Sequence, residues 1–432
     1  MKIAIVGTGV SGLVAAHALH RDHDVTIYEA DGRVGGHART VDVEVDGVMH
    51  AVDTGFIVYN KANYPEFTAL LRELNVATQP TEMSFSVTDA GTGLEYRGSN
   101  LNSLFAQRKN LTRPSFLRLL TDIVRFNRAA RRLVANETRW QGADRLPAAG
   151  DDGRGDESIE SFLRRGHYSA SFVEQFLVPF GSAIWSADPS TFTRFPVRSY
   201  ARFMQNHGLL GLPGRTQWRT IRGGSREYVD RLVAPFADRI RLRTAVHKVV
   251  ADPSDLASAV ELLTDLGPER FDRVIIAAHS DQALEMLADP APAERAILGS
   301  ISYQPNTATL HTDARFLPAS RRARASWNSS VDRGGHRATV TYWMNALQTI
   351  ISESPILLTL NQRDAIDPRQ VLAEFEYQHP VFDLEAMRAQ PRRREIQGAR
   401  GIYFVGAYWG YGFHEDGVQS ALEVARAIRE ER

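Results

Sequence analysis

The chain opens on a short apolar run, Ile3 to Val6, and glycines follow at positions 7, 9 and 12. An unbroken apolar run of this length predicts a strand buried on both faces, as in a parallel sheet. From Ser11 to His20 the spacing becomes helical, with Leu13, Ala16 and Leu19 on one face. Asp24 to Tyr28 predicts a second strand, ending at Glu29. Ile240 to Val250 alternates apolar and polar residues as a half-buried strand does. Phe271 to Leu287 reads as a strand and a helix. Gly401 to Ile428 reads as a strand, a turn rich in glycine and aromatic residues, and a helix. The stretches "ATVTYWMNALQTI" and "PILLTLN" are rich in β-branched and aromatic residues and predict strands. Arg113 to Asn136 predicts an amphipathic helix. Phe116, Leu119, Leu120, Ile123, Val124, Ala130 and Leu133 form its apolar side; Arg118, Arg125, Arg128, Arg131 and Arg132 fill the rest. Gly142 to Glu157 is of low complexity and predicts an exposed, mobile loop. No internal repeat is visible.

The first forty residues carry chemistry. Gly7, Gly9 and Gly12 fall at GxGxxG spacing between a strand and a helix. Gly7 permits a tight turn, Gly9 lets a diphosphate approach the backbone, and Gly12 lets the helix pack on the sheet. The helix N-terminus, with Val10 and Ser11 in its first turn, offers free N–H groups to phosphate. Glu29, 22 residues after Gly7, stands where a carboxylate accepts hydrogen bonds from ribose. In this context the motif predicts a dinucleotide site.

Composition narrows the class. The 432 residues suffice for two domains or one large two-part domain. The formal net charge of zero argues against nucleic acid as a partner. No apolar run reaches membrane-spanning length, and no secretory signal is read at the N-terminus, so a cytoplasmic location is expected. Cysteine is absent, which excludes disulfides, thiolate nucleophiles and cysteine-ligated metals. Of 51 basic residues only Lys2, Lys61, Lys109 and Lys248 are lysine. No His and carboxylate set has metal-ligand spacing, so no metal is expected.

The residues after Glu29, "ADGRVGGHART", complete a longer pattern. With the glycine motif they resemble the fingerprint of the flavin amine oxidase and phytoene desaturase superfamily, matching at Ala30, Arg33, Gly35, Gly36 and Thr40. The resemblance implies FAD. It also implies that a basic residue after the double glycine neutralises the diphosphate; here His37 stands where arginine is usual, leaving Arg33 or Arg39 as substitutes. "DTGFIVYN", with Thr54, Gly55, Phe56 and Ile57, resembles the loop that returns under the flavin ring. Val246 matches a strand residue whose backbone holds adenine. Gly406 matches the glycine of the last FAD element, and Asp416, Gly417 and Val418 the helix start that aims N–H groups at the ring. The fold so implied is α/β plus α+β: a discontinuous Rossmann-like FAD-binding domain (1–80, 215–290 and 395–432) with an inserted mixed-sheet and helical substrate domain (81–214 and 291–394).

Chemistry of this kind moves a hydride from substrate to flavin N5. Phe413, His414 and Glu415 lie on the turn that should face the ring, Phe413 as a cage aromatic and His414 as a candidate acid/base. His207 and His311 sit in apolar settings and are further candidates, each balanced against a core role. Trp327, Asn328, Tyr342, Trp343 and Asn345 fit either a large apolar pocket or the core. Many amine oxidases place a lysine near N5, and residues 291–394 contain none. "NHGLL", "LHTD", "SWN", "TYWMN" and "GFHEDG" together resemble bacterial flavoproteins related to the flavin domain of plant cyclopropane fatty-acid synthases. That resemblance implies oxidation, desaturation or isomerisation of a fatty-acyl or other lipid substrate. Three alternatives stay open: an amine oxidase, a redox-neutral lipid isomerase, and a flavin-bound accessory subunit of a lipid-modifying methyltransferase. The Arg113–Asn136 helix likewise has two readings, a solvated basic face or peripheral contact with a membrane or a lipid-carrying partner.

Overall fold

A computed structural model describes residues 1–140, 157–186, 188–210, 216–251, 260–332 and 338–431. The Gly142–Glu157 segment lies outside the described residues but for Glu157. At the centre is a five-stranded parallel sheet in the order Ile240–Arg241, Asp24–Tyr28, Lys2–Val6, Arg273–Ile276, Ile402–Phe404. Ile3, Ala4 and Ile5 are wholly buried, as the apolar run requires. The order runs outward in both directions from Lys2–Val6, so a crevice opens beyond its carboxyl end, where sheets of this kind bind ligands. The helix Val10–Leu19 starts in that crevice. It is buried almost all round because it lies between the sheet and the C-terminal helix His414–Glu430.

The continuous strand expected over Ile240 to Val250 is two strands in two sheets. Ile240–Arg241 joins the parallel sheet, and Val246–Val250 leaves it to pair antiparallel with Val260–Thr264. Arg243 between them has φ of 52°, a left-handed turn that alternation does not foresee. The "ATVTYWMNALQTI" stretch also divides: Ala338–Trp343 is strand, and Met344–Gln348 is a helical turn.

A second sheet has seven strands in the order Val371–Pro380, Tyr303–His311, Leu357–Leu360, Ala338–Trp343, Trp327–Val331, Phe85–Asp89, Leu94–Arg97. Every pairing is antiparallel except that of Trp327–Val331 with Phe85–Asp89. This single parallel contact joins chain segments more than 230 residues apart. Helices from Pro114–Trp140 to Val197–Asn206 pack beside the sheet around Phe126, Phe172, Phe192 and Tyr200. Helix Pro114–Trp140 follows its predicted stripe with two exceptions. Val124 is 59% exposed, and Asp122 is wholly buried, held by Arg118, Arg125 and the Ser169 N–H. No described helix is long and apolar enough to cross a membrane.

Candidate active site

One cavity of about 1460 Å³ runs through the molecule. That exceeds the roughly 300–1,000 Å³ of a pocket for one small ligand. Its first part lies at the crevice of the parallel sheet. Gly7, Gly9, Val10 and Ser11 line it at the glycine turn. Glu29 and Ala30 line it at the end of the second strand, and Gly35, Gly36 and His37 beyond. Thr54, Gly55, Phe56, Ile57, Val246 and Gly406 complete the predicted residues on its wall.

Local reasons fix this geometry. Gly7 has φ of 104° and packs on the Ala277 carbonyl, so the turn needs glycine. A Cβ on Gly12 would overlap the Gly7 carbonyl oxygen, so the helix can lie this close only without one. Gly9 differs: its φ is −62°, and no atom outside its chain neighbours lies within 4 Å of a Cβ built there. Neither conformation nor protein neighbours demand glycine at 9, so the open space above it is a cradle for a ligand. Glu29 is held by the Thr8 N–H (2.9 Å), the Thr8 hydroxyl and the Asp31 N–H (2.9 Å). A carboxylate has about four acceptor sites, so capacity is left for a ribose hydroxyl. His37 and His279 also line it, each with one ring nitrogen, His37 Nε2 and His279 Nδ1, turned into the protein and without a partner. The residues present fit a dinucleotide with a diphosphate over Gly9.

Five predicted cofactor residues are elsewhere. Gly12 serves helix packing, not the cavity. Arg33 donates to the Gly36 carbonyl (2.8 Å) and braces the loop from behind. Gly417 is pressed against Val10 and Ser11, and its N–H donates to the Phe413 carbonyl (3.2 Å), so it is not aimed at a ring. Val418 is core. The Asp416 carboxylate accepts from the Tyr411 N–H (3.0 Å) and Phe413 N–H (2.9 Å) and shapes the turn; burial pushes it up to about 6. Arg39, the other proposed substitute, lies over the Phe375 ring.

The second part of the cavity is apolar. Leu120 and Ile123 of the long helix, Phe176, Phe180, Leu358 and Leu360 line it, with Trp327 and Tyr342. A single π-helical turn, Val173–Leu177, turns Phe176 inward while Gln175 bonds Asp89 (2.6 Å). Asn328, Trp343 and Asn345 stay out of the cavity. Asn328 holds the Ala325 backbone and Asn345 the Ile350–Ile356 loop.

Of the catalytic candidates, His207, Phe413 and His414 reach the wall. His414 stacks on Phe56 (3.7 Å between centroids) and its Nε2 is 2.8 Å from the Tyr228 hydroxyl. Burial pushes its pKa down to about 3, so it is neutral at neutral pH. His207 stacks on Phe203 (3.9 Å), donates Nδ1–H to the Phe203 carbonyl (3.0 Å), and is likewise pushed down to about 4 by burial. Phe413 stacks on Phe203 (5.2 Å). Glu415 is no catalyst: its two oxygens accept the N–H groups of Glu66 and Phe67 (both 3.0 Å) and cap the helix Pro65–Glu73. His311 is a satisfied core residue, bonded to Thr359 Oγ1 (2.7 Å) and to the Asp313 N–H (3.1 Å). Sequence reading missed His279, Tyr377 and His379, all on the wall. The signal was present for two of them: in "EFEYQHP" the residues Phe375, Tyr377 and His379 fall on one face of a strand.

The chain resembles known proteins in sequence and in fold. The profile of the family "Flavin containing amine oxidoreductase" matches residues 10–353. Protoporphyrinogen oxidase 2, chloroplastic/mitochondrial, of Arabidopsis thaliana is 27% identical over 191 residues, 44% of this chain. The match spans about a third (34%) of that relative's length. Among solved structures, cyclohexylamine oxidase from Brevibacterium oxydans superposes with a TM-score of 0.69 at 17% identity, over 100% of this chain and 99% of that one. The CLA-producing fatty acid isomerase from P. acnes gives 0.67 at 15%, over 98% of both chains. The glycine cradle, the placed Glu29 and the matched family converge: the chain belongs to the flavin-containing amine oxidoreductase family and is an FAD-dependent oxidoreductase.

Proposed function

We propose that the chain takes a hydride from an apolar, fatty-acyl substrate lying in the aromatic part of the cavity. The observation that carries this is the wall itself. It is built from Leu120, Ile123, Phe176, Phe180, Leu358 and Leu360, and no lysine stands on the described wall. The one arginine there, Arg97, is occupied by Glu82, the Ser99 hydroxyl and the Arg324 carbonyl. Such a wall dehydrates a hydrocarbon chain, and its carboxylate Glu82 is already paired with Arg97. The fold alone does not choose, since it is shared by an amine oxidase and a fatty acid isomerase.

FAD, when bound, supplies the two-electron acceptor. The chain's part is to hold the substrate, exclude water and place hydrogen-bonding groups. Phe203, Phe413 and Trp185 form an aromatic group beside His207. His207 and His414 are neutral and of low proton affinity, which makes both weak bases. That favours a second reading, in which the hydride returns to another carbon and a double bond moves without net oxidation. The test is an anaerobic flavin spectrum of the purified protein mixed with unsaturated fatty acids or phospholipids, and separately with simple amines. Lasting bleaching by lipid supports oxidation. A shifted double bond with unchanged flavin supports isomerisation. Bleaching by amines alone overturns both.

We also propose that the outer face of helix Pro114–Trp140 and the segment before it rest on an anionic bilayer. Leu101 (75%), Leu111 (52%) and Val124 (59%) are exposed, beside Arg108, Lys109 and Arg128. Apolar residues ringed by cations suit a lipid interface. Leu120 and Ile123 of the same helix line the cavity, so substrate would enter from the surface the helix touches. Cosedimentation with phosphatidylglycerol vesicles, lost in the double variant Leu101→Glu/Val124→Glu, supports this. Equal binding by the variant refutes it.

A further inference from the structure

His207 closes the helix Val197–Asn206 and stands on the cavity wall. Its ring stacks on Phe203 (3.9 Å between centroids) and lies nearly parallel to Trp218 (6.1 Å). Its Nδ1 is 3.0 Å from the Phe203 carbonyl, one turn back along the helix. A carbonyl only accepts, so Nδ1 carries the proton of the neutral ring and Nε2 carries a lone pair. Burial keeps the ring in that neutral form, pushing its pKa down to about 4. With the ring stacked and Nδ1 tied to the backbone, the Nε2 edge is the part left to line the cavity.

That lone pair stands out against its surroundings. Its neighbours on the wall are Phe203, Met204, Leu209, Trp218 and Phe413. Three other polar groups of the substrate part are tied back into the protein. The Trp185 indole N–H donates to the Tyr411 carbonyl (3.1 Å), the Tyr96 hydroxyl to the Gln175 carbonyl (2.7 Å), and the Gln217 amide to the Trp218 carbonyl (2.8 Å). Phe413 packs against both the core under the parallel sheet and the helical core. His207, 5.9 Å from it, therefore stands where the cofactor crevice meets the apolar part.

Water can satisfy such a lone pair until an acyl chain displaces it. A methylene group then leaves it bare, and a buried acceptor without a partner is costly. A carbonyl oxygen brings only another lone pair. An ammonium brings three donors and a full charge to one neutral acceptor, and burying that charge costs more than one bond returns. A hydroxyl brings one donor to one acceptor. We propose that the acyl chain this cavity takes carries a hydroxyl group, whose O–H donates to His207 Nε2 while the rest of the chain lies on the aromatic and aliphatic wall. The bond also fixes the chain lengthwise, because it sets which carbon lies where the two parts of the cavity meet.

The inference rests on the acyl-chain reading above, and the test keeps the two apart. FAD-loaded protein is titrated by calorimetry with octadecanoate, with hydroxyoctadecanoates bearing the group at the third, tenth or twelfth carbon, and with octadecylamine. At least one hydroxyl isomer should bind about tenfold more tightly than octadecanoate. His207→Phe keeps a stacked ring and removes the lone pair, so it should bind octadecanoate and that isomer alike. His207→Gln offers an amide oxygen and should restore part of the preference. Nitrogen NMR of histidine-labelled wild type gives a readout that depends on no variant: one unprotonated ring nitrogen should shift with that isomer and stay still with octadecanoate. No hydroxyl isomer binding better than octadecanoate, or a preference kept in full by His207→Phe, overturns the inference and leaves the acyl-chain reading standing. Binding of octadecylamine alone, or of no acyl chain at all, overturns both.

Discussion

Gly9 and Gly12 share one motif, yet the structure gives them opposite reasons to be glycine, and alanine at each should fail differently. At Gly12 the added methyl overlaps the Gly7 carbonyl and presses on Ala277 Cβ at 3.1 Å. Both are rigid, so the helix must move off the sheet, which costs about 1–3 kcal/mol in overpacking. At Gly9 the methyl meets no protein atom within 4 Å. Its φ of −62° and ψ of 174° suit alanine. Alanine is a poorer N-cap than glycine, but it also lowers the entropy of the unfolded chain by about 0.4–1 kcal/mol, so the two effects nearly cancel. Apoprotein melting should therefore be unchanged by Gly9→Ala and lowered by Gly12→Ala. FAD binding should show the reverse emphasis. A methyl in the diphosphate cradle costs about 1–3 kcal/mol, or roughly 5- to 150-fold in affinity. The assay is a pair of thermal melts, with and without FAD, and a fluorescence titration. A Gly9→Ala protein that binds FAD as tightly as the wild type would refute the placement of the cofactor over this loop.

Three further outcomes are expected. Glu415→Ala removes the acceptor for two backbone N–H groups and should destabilise the fold by about 2 kcal/mol in chemical denaturation, with FAD affinity unchanged. His311→Ala should likewise lower stability, through the lost Thr359 and Asp313 bonds, while leaving flavin reduction rates alone; a rate loss in a fully folded variant would return His311 to the active site. Asp416, pushed up to about 6, binds its proton more tightly folded than unfolded, so its contribution is full below about pH 4 and is lost as pH rises through about 6. Asp416→Asn, which keeps an acceptor for both N–H groups, should flatten that part of the stability profile.

The strand, glycine turn and helix of the first thirty residues were legible because each step there is local: burial sets the run, and the turn sets the glycines. The apolar stripe of the long helix was legible for the same reason. Asp122 was not, because a buried carboxylate is tolerated only once Arg118, Arg125 and Ser169 are folded around it. Glu415 misled because it sits one residue from a cavity residue on a helix, and one residue is about 100° of rotation. His37 was read from the motif, but the rings it packs beside, His279 and His379, arrive from positions more than 240 residues away. Arg243, which ends the strand at 241, belongs to a residue type that gives no turn signal.

The strand order of the central sheet also bears on when the protein can first work. Its five members come from residues near 2, 24, 240, 273 and 402, and the helix that closes the glycine turn ends at 430. Loops this long must close before pairing offsets their entropy, which makes folding slow. A nascent chain on the ribosome would hold the amino-terminal strand and helix for most of its synthesis without the neighbours that bury them. Cofactor loading therefore belongs after translation, and a chain truncated before residue 402 lacks an edge strand of the sheet as well as the floor of the pocket.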